Sequence, residues 1–260
     1  MSHISFSSLK MWNECPYKFK LSYIDYIKKF KGNVYTAFGS AMHEVCEKVL
    51  IGEWKESDVS RKFQESFATI YKELEKNIKE NTDTKLLKDM FAQGTDLAPL
   101  PIPALKEFFG KFEIISSEEN LFEPIVEFEK DDYDFKGFID LVIQTPDGKY
   151  HIIDWKTCSW GWDFKRKTEP MTTYQLTLYK YYFCQKHDID PKNVETYFAL
   201  LKRTAKKDQV EIFRVTSGPK KINNALKLLK KALYNIHSQN FIKNRLSCSN
   251  CEYFKTPHCR

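Results

Sequence analysis

The chain has 260 residues, 42% hydrophobic and 29% charged, with 41 Lys and Arg against 35 Asp and Glu for a net charge of +6. That length and balance suit one large or two small globular domains and exclude a disordered chain. The longest apolar runs, such as Phe198-Ala199-Leu200-Leu201, fall far short of the ~20 residues of a membrane span. Met1-Ser2-His3-Ile4-Ser5-Phe6 lacks the basic flank and apolar stretch of a signal peptide, so a cytoplasmic, intracellular protein with no membrane partner is expected.

Helical periodicity opens at Ser5. Leu9, Trp12, Cys15 or Pro16, Phe19 and Tyr23 recur at three- and four-residue steps over 5–23, and Pro16 should kink or restart the helix. A second helix is expected over 36–51, with Phe38, Ala41, Met42, Val45 and Val49 on one side. Ser57 or Asp58 would cap a third, striped by Phe63, Phe67, Ile70 and Leu74. Residues 84–93 and 101–113 read as helices separated by the breaker Gly94-Thr95-Asp96-Leu97-Ala98-Pro99.

Near residue 120 the texture turns to short β-rich runs over 122–128, 133–143 and 150–155, with Pro146-Asp147-Gly148 as a hairpin turn. A helix over about 171–186, strands over 194–202 and 209–215, and a helix from Pro219 follow. Ile222, Leu226, Leu229, Leu233 and Ile236 form the buried stripe of that last helix, and Lys220, Lys221, Lys227, Lys230 and Lys231 lie largely off it. From residue 202 onward 14 Lys and Arg stand against three acids, a net +11 that leaves the first 201 residues at −5. A basic C-terminal quarter on a mildly acidic body points to a polyanionic partner. With no internal repeat or low-complexity linker, the expectation is one α/β domain over 1–260. Its parts are a mainly helical 1–115, a sheet core over 116–216, and a basic helix with a cysteine-rich tail over 217–260.

Chemistry concentrates in Gly137-Phe138-Ile139-Asp140 and, one hairpin later, Asp154-Trp155-Lys156-Thr157. Side chains alternate across a strand, so Asp154 and Lys156 share a face, and the hairpin can bring Asp140 alongside. Burying such charges costs several kcal/mol unless a divalent cation held by the carboxylates offsets it. Two carboxylates with a neighbouring lysine suit metal-assisted phosphodiester hydrolysis. A plain ion pair at a strand end remains the bland alternative for Asp154 and Lys156. His43, with Glu47 one turn on, and Gln175 with Tyr179, one turn apart on the helix after the hairpin, say little by themselves. Seven cysteines make an odd set; Cys248, Cys251 and Cys259 crowd the last thirteen residues, while Cys15 stands near the start and Cys46, Cys158 and Cys184 lie in apolar or aromatic surroundings.

The series Ser5-Phe6-Ser7-Ser8-Leu9, Cys15-Pro16-Tyr17-Lys18-Phe19, Gly39-Ser40-Ala41-Met42-His43, Gly137-Phe138-Ile139-Asp140, Asp154-Trp155-Lys156-Thr157 and Gln175-Leu176-Thr177-Leu178-Tyr179 resembles RecB-type nucleases of the PD-(D/E)XK superfamily, in order and spacing, along nearly the whole chain. Compact CRISPR-associated RecB-like exonucleases, their phage relatives and the nuclease domain of AddB are the nearest in pattern. The resemblance implies a restriction-endonuclease-like core, a mixed central β-sheet flanked by helices, here with an N-terminal helical elaboration and a C-terminal Cys-rich tail.

It further implies Asp140 and Asp154 as metal-binding carboxylates, Lys156 as catalytic lysine, His43 and the Trp155 carbonyl as further ligands to Mg²⁺ or Mn²⁺, and Gln175 and Tyr179 as support for the site and DNA. An upstream glutamate is common in the family, and Glu118, Glu119, Glu123 and Glu127 all compete for the role. The proline of the superfamily name is absent, since Ile139 precedes Asp140. Cys15, Cys248, Cys251 and Cys259 match the arrangement that holds a [4Fe-4S] cluster in the iron–sulfur members, and four thiolates equally suit Zn²⁺. The implied activity is a metal-dependent DNA exonuclease acting on single-stranded DNA or DNA ends. Its rivals are a non-cleaving DNA-binding or assembly subunit with recombination or CRISPR-adaptation partners, and an RNA-directed nuclease.

Overall fold

The strand Asp134–Gln144 (β3) organises the sheet, because one of its edges is shared by two different partners. A computed structural model describes residues 3–27, 31–129 and 132–260 of the chain. The other strands are β1 (His3–Ser5), β2 (Glu113–Pro124), β4 (Tyr150–Cys158), β5 (Val194–Lys202) and β6 (Val210–Val215). Antiparallel β2 covers one edge of β3 from Glu113↔Gln144 to Pro124↔Asp134. On the other edge β1 runs parallel to the first part of β3, from His3↔Asp134 to Ser5↔Lys136. There β4 runs antiparallel to the last part, from Leu141↔Ile153 to Gln144↔Tyr150. Next to β4 lies parallel β5, and antiparallel β6 closes the far side. This is a mixed sheet with helices on both faces.

The inner strands read as near-continuous apolar runs because both faces are covered. Against one face pack α1 (Phe6–Glu14), α9 (Pro170–His187) and α10 (Pro219–His237), around Phe135, Ile139, Leu176, Tyr182, Phe198 and Leu233. Against the other pack α3 (Val34–Leu50), α4 (Val59–Glu73), α6 (Thr84–Leu97) and α7 (Pro101–Phe109), around Phe38, Met42, Phe63, Leu141, Ile153 and Trp155. Ile139 joins the first core and Leu141 the second, so the alternation of β3 slips at Asp140. Short helices α2 (Pro16–Phe19), α5 (Lys76–Glu80) and α8 (Phe164–Thr168) complete the set. No helix of the described residues is long and apolar enough to cross a membrane.

Ser5 starts α1 through a capping box with Ser8, and Pro16 restarts the chain as α2, which widens into a π-turn over Lys20–Ile24. Three expectations need correction. The helix expected to reach residue 113 ends at Phe109, where Gly110 takes φ 69° and turns the chain out, a stop signal the sequence carried. The strand expected over 122–128 is instead the end of β2, which begins at Glu113 and stops at Pro124. As an edge strand with mostly solvated side chains, β2 lacks the apolar alternation that reveals a strand. Gly94 does not break a helix: α6 runs through it to Leu97.

Gly94 is there for close packing. A Cβ at this position would lie 2.0 Å from Phe63 Cζ, and Phe63 stacks on Phe67 with centroids 5.6 Å apart and meets Phe38 edge-on at 5.3 Å. Gly94→Ala should therefore destabilise the protein by about 1–3 kcal/mol through overpacking, less the ~1 kcal/mol that alanine gains in helix propensity. The urea midpoint should fall, and Phe63→Leu should recover most of the loss in the double variant. An unchanged midpoint for Gly94→Ala would refute the contact.

Candidate functional site

The ladder between β3 and β4 stops at Leu141↔Ile153, one residue short of Asp140 and Asp154. Past that pair the strands part, and the Trp155 N–H that a ladder would have used donates to Asp140 Oδ2 at 2.7 Å. The fork is thus lined by backbone polar groups as well as by two carboxylates.

Helix α3 brings His43 to the fork. Its apolar side (Phe38, Ala41, Met42, Val45 and Val49) is buried, which turns His43 toward the sheet edge with its Nδ1 3.5 Å from Asp140 Oδ1. Gly39 allows this approach, since a Cβ there would sit 3.3 Å from Thr157 Oγ1 at the end of β4. Burial opposes a charge on His43, but the adjacent Asp140 carboxylate outweighs it and raises the imidazole's pKa. Reciprocally, burial pushes Asp140 up, yet His43, Lys156 and the Trp155 N–H together hold it below the usual carboxylate range.

Asp154 is almost wholly enclosed. Gln175 Nε2 on α9 donates to its Oδ1 at 2.9 Å, and Lys156 Nζ lies 2.6 Å from its Oδ2. Burial raises the Asp154 carboxyl to about 6; Lys156 resists the rise and Asp140 adds to it. Burial works against the Lys156 ammonium, but Asp154 and Asp140 outweigh it and keep the lysine charged. Gln175 Nε2 also donates to the Tyr179 hydroxyl at 3.2 Å, so the pair one turn apart props Asp154 from the α9 side. The Tyr179 ring fits only because residue 137 is glycine: a Cβ there would meet Tyr179 Cε1 at 2.7 Å. The glycines of both motifs make room for the residues that aim the site.

Of the four competing glutamates the structure brings one to this place. His43, Glu118 and Asp140 each offer a ligand atom within 4.8 Å of the others, the one such group among the described residues. Glu119 is committed to Lys186 and His187 at 2.7 and 2.8 Å, Glu127 to the Tyr181 hydroxyl, and Glu123 pairs in register with Phe135. Glu118 sits at φ 53° in the middle of β2, a left-handed conformation that costs a non-glycine residue about 1–2 kcal/mol. Partial burial, Asp140 and Glu47 raise its pKa. With His43, Glu44 and Glu47 it lines a cleft of about 390 Å³.

These donors fit a divalent cation. Oxygen ligands and one imidazole converge, the carboxylates crowd with like charge, and buried Asp154 Oδ2 makes no hydrogen bond beyond its ion pair. Sequence reasoning had no means of choosing Glu118, because its strand was not visible and its selection depends on register with β3.

At the C-terminal end of α1, Cys15, Cys248, Cys251 and Cys259 line one cavity of about 320 Å³. Pro16 forces the residue before it out of the helical region, so Cys15 is extended (φ −159°, ψ 110°), and the Asn244 N–H donates to its Sγ at 3.3 Å. The tail is stitched to the N-terminal helices. Asn244 Nδ2 and Ser247 Oγ donate to the Glu14 carbonyl at 2.8 and 2.9 Å, Lys18 pairs with Glu252 at 3.3 Å, and buried Tyr253 meets Ser22 Oγ at 3.0 Å. All seven cysteines are free thiols.

With fold and geometry in view, the family follows. The model of the PD-(D/E)XK nuclease superfamily matches residues 3–256, and the chain belongs to that superfamily. Its mixed sheet flanked by helices is the restriction-endonuclease-like core. Among solved structures, a candidate exonuclease from Eubacterium rectale superposes with a TM-score of 0.58 at 13% identity, over 98% of this chain and 89% of that one. A likeness at that identity speaks for the fold alone. The protein SSO0001 gives a TM-score of 0.46 at 15% identity, over 97% of this chain and 84% of that one. A comparison with curated proteins gives no match.

Metal titration tests the choice among the glutamates. Glu118→Gln should weaken Mn²⁺ binding by about tenfold or more in calorimetry, as should Asp140→Asn, while Glu119→Gln and Glu123→Gln should leave it unchanged. Equal binding by Glu118→Gln and the parent protein would remove Glu118 from the site.

Proposed function

We propose that residues 1–260 act as one metal-dependent DNA exonuclease that hydrolyses phosphodiester bonds in single strands or at DNA ends. The observation that carries this reading is the convergence of Asp140, Asp154, Lys156 and His43 on one strand fork in a nuclease-superfamily chain. His43, Glu118 and Asp140 would hold the ion, with Asp154 beside them; Mg²⁺ or Mn²⁺ suits a mainly oxygen donor set. A strand residue turns its N–H and C=O to the same side, so the Trp155 carbonyl also faces the fork and can complete the ligand set. Bound there, a divalent ion polarises the scissile phosphate and lowers the pKa of water.

The chain's own groups do the rest. Lys156, kept charged by Asp154, offers a donor to the charge that develops on the phosphate and orients the attacking water. Gln175 fixes the Asp154 carboxylate and Tyr179 fixes Gln175, so the acid keeps its aim without further reorganisation.

The cysteine cavity is read as the seat of a structural [4Fe-4S] cluster. Four thiolates at about 2.3 Å from one Zn²⁺ would lie about 3.8 Å apart. The four cysteines line a cavity of about 320 Å³, more room than a single ion takes, and the Asn244 N–H on Cys15 Sγ is the kind of hydrogen bond that tunes cluster thiolates.

End-labelled single- and double-stranded DNA, incubated with Mg²⁺, Mn²⁺ or EDTA, tests the activity directly. Wild-type protein should give product ladders with either metal and none with EDTA. Asp154→Asn and Lys156→Ala should cut at least about a hundredfold more slowly, with DNA affinity within about threefold of wild type. Full-rate cleavage by either folded variant would remove the proposed chemistry.

Iron analysis tests the second centre. Anaerobically purified protein should be brown with about four irons per chain. Cys15→Ser should lose the colour and much of the stability, whereas Cys46→Ser, Cys158→Ser and Cys184→Ser should keep the colour. A colourless protein with one zinc, or a stable one with no metal, would overturn the cluster.

A further inference from the structure

Strand β4 carries Asp154 and Lys156 and then runs out into Ser159-Trp160-Gly161-Trp162-Asp163 before α8. Trp162 is buried against Phe198 and Phe213, with ring centroids 5.1 and 6.2 Å away. Its neighbours face water: Trp160 is 69% exposed and Phe164 82%.

The segment that presents them is firmly held. Thr204 Oγ1 donates to the Ser159 carbonyl at 2.6 Å, the Arg203 N–H donates to the Cys158 carbonyl at 2.9 Å, and the Arg203 guanidinium reaches Ser159 Oγ at 2.8 Å. Arg166 lies 4.5 Å over the Trp162 ring, and Asp163 accepts from the Arg166 N–H at 2.7 Å to cap α8. Arg203 also sits 5.5 Å over the ring of Tyr35, half exposed in the first turn of the helix that carries His43. Exposed aromatic rings thus follow the strand of the candidate site on a braced segment, and Arg203 links that segment to Tyr35.

Charged groups of both signs flank the rings, with Asp163 and Glu169 exposed as acids. Lys165 and Arg166 are exposed, while Lys167 is held by Glu211. Trp160 follows Lys156 by four residues, two of them beyond the end of β4, so the two Cα atoms are at most about 14 Å apart.

We infer that Trp160 and Phe164, with Tyr35 beside them, form a stacking platform for the bases of single-stranded DNA next to the scissile phosphate, and that Lys165 and Arg166 take the flanking phosphates. This rests on the nuclease reading above and adds the substrate class and the residues that select it. Bases of a single strand offer free π-faces to aromatic rings, whereas those of a duplex are already stacked inside the helix. Lys165 and Arg166, together with Arg203 from the basic C-terminal quarter that touches this segment, give phosphates cations to meet beside the rings, which favours a polyanionic strand over an apolar protein partner.

The test is binding without added divalent metal, so that no strand is cut. Of the five tryptophans, Trp12, Trp155 and Trp162 are buried and Trp54 is partly so, which leaves Trp160 as the main reporter. A twelve-residue oligothymidylate should quench the wild-type fluorescence, and because the substitutions remove that reporter, all affinities are compared by the anisotropy of a dye-labelled strand. Trp160→Ala/Phe164→Ala, which touches only exposed rings, should bind it about tenfold or more weakly with unchanged thermal melting. Trp160→Phe should keep most of the affinity. An abasic strand with the same number of phosphates should bind wild type and double variant alike.

If the double variant binds oligothymidylate as tightly as wild type, or if the abasic strand shows the same loss, the platform is refuted. Cleavage is scored separately with Mg²⁺. Normal cutting with unchanged binding in the variant overturns the platform and leaves the nuclease, while lost stacking in a protein that never cuts supports the platform and overturns the nuclease.

Discussion

Everything at the site follows from one strand having two successive partners on the same edge. β3 pairs with β1 through Lys136 and with β4 only from Leu141 onward. In the gap between them, the Trp155 N–H is free to reach a carboxylate and the alternation of β3 slips, so that Asp140 stands between the two cores. A continuous β3–β4 ladder would consume that amide and leave no opening for a phosphate.

Such a gap is expensive to maintain. Each buried ion carries several kcal/mol of desolvation that its partners must offset. The chain supplies a specific partner to each group: His43 to Asp140, and Lys156 and Gln175 to Asp154. The balance is incomplete by construction. Asp154 stays raised to about 6, Glu118 is raised by its acidic neighbours, and Glu118 holds a left-handed backbone in mid-strand. A left-handed backbone and carboxylates crowded with like charge in one place fit a cation held between them.

Strand-borne chemistry was legible because short-range rules govern it. Asp154 and Lys156 share a face through period-two alternation, and a Pro-Asp-Gly hairpin sets Asp140 near them. His43 was legible only through its motif, since its direction comes from the burial of Phe38, Ala41, Met42 and Val45 behind it. Glu118 was out of reach, because an edge strand of exposed side chains has no apolar pattern and register is a long-range property. β1 has three residues, too few to show any period. Gly94 was misread as a breaker for a related reason: glycine permits a turn and a close approach alike, and only the position of the Phe63 ring tells them apart.

The two candidate metal centres are joined by one helix. β1 pins the start of α1 to the fork strand, and the tail grips its far end through two hydrogen bonds to the Glu14 carbonyl and one to Cys15 Sγ. Nine residues of α-helix span about 13–14 Å, and a helix of that length is not stable on its own in water. Its order therefore comes from both anchors together with the apolar contacts of Phe6, Leu9 and Trp12. Releasing the tail would remove one anchor and leave the three-residue β1 to hold the other. The tail's grip on the end of α1 thus steadies the β1 side of the fork from about a helix length away.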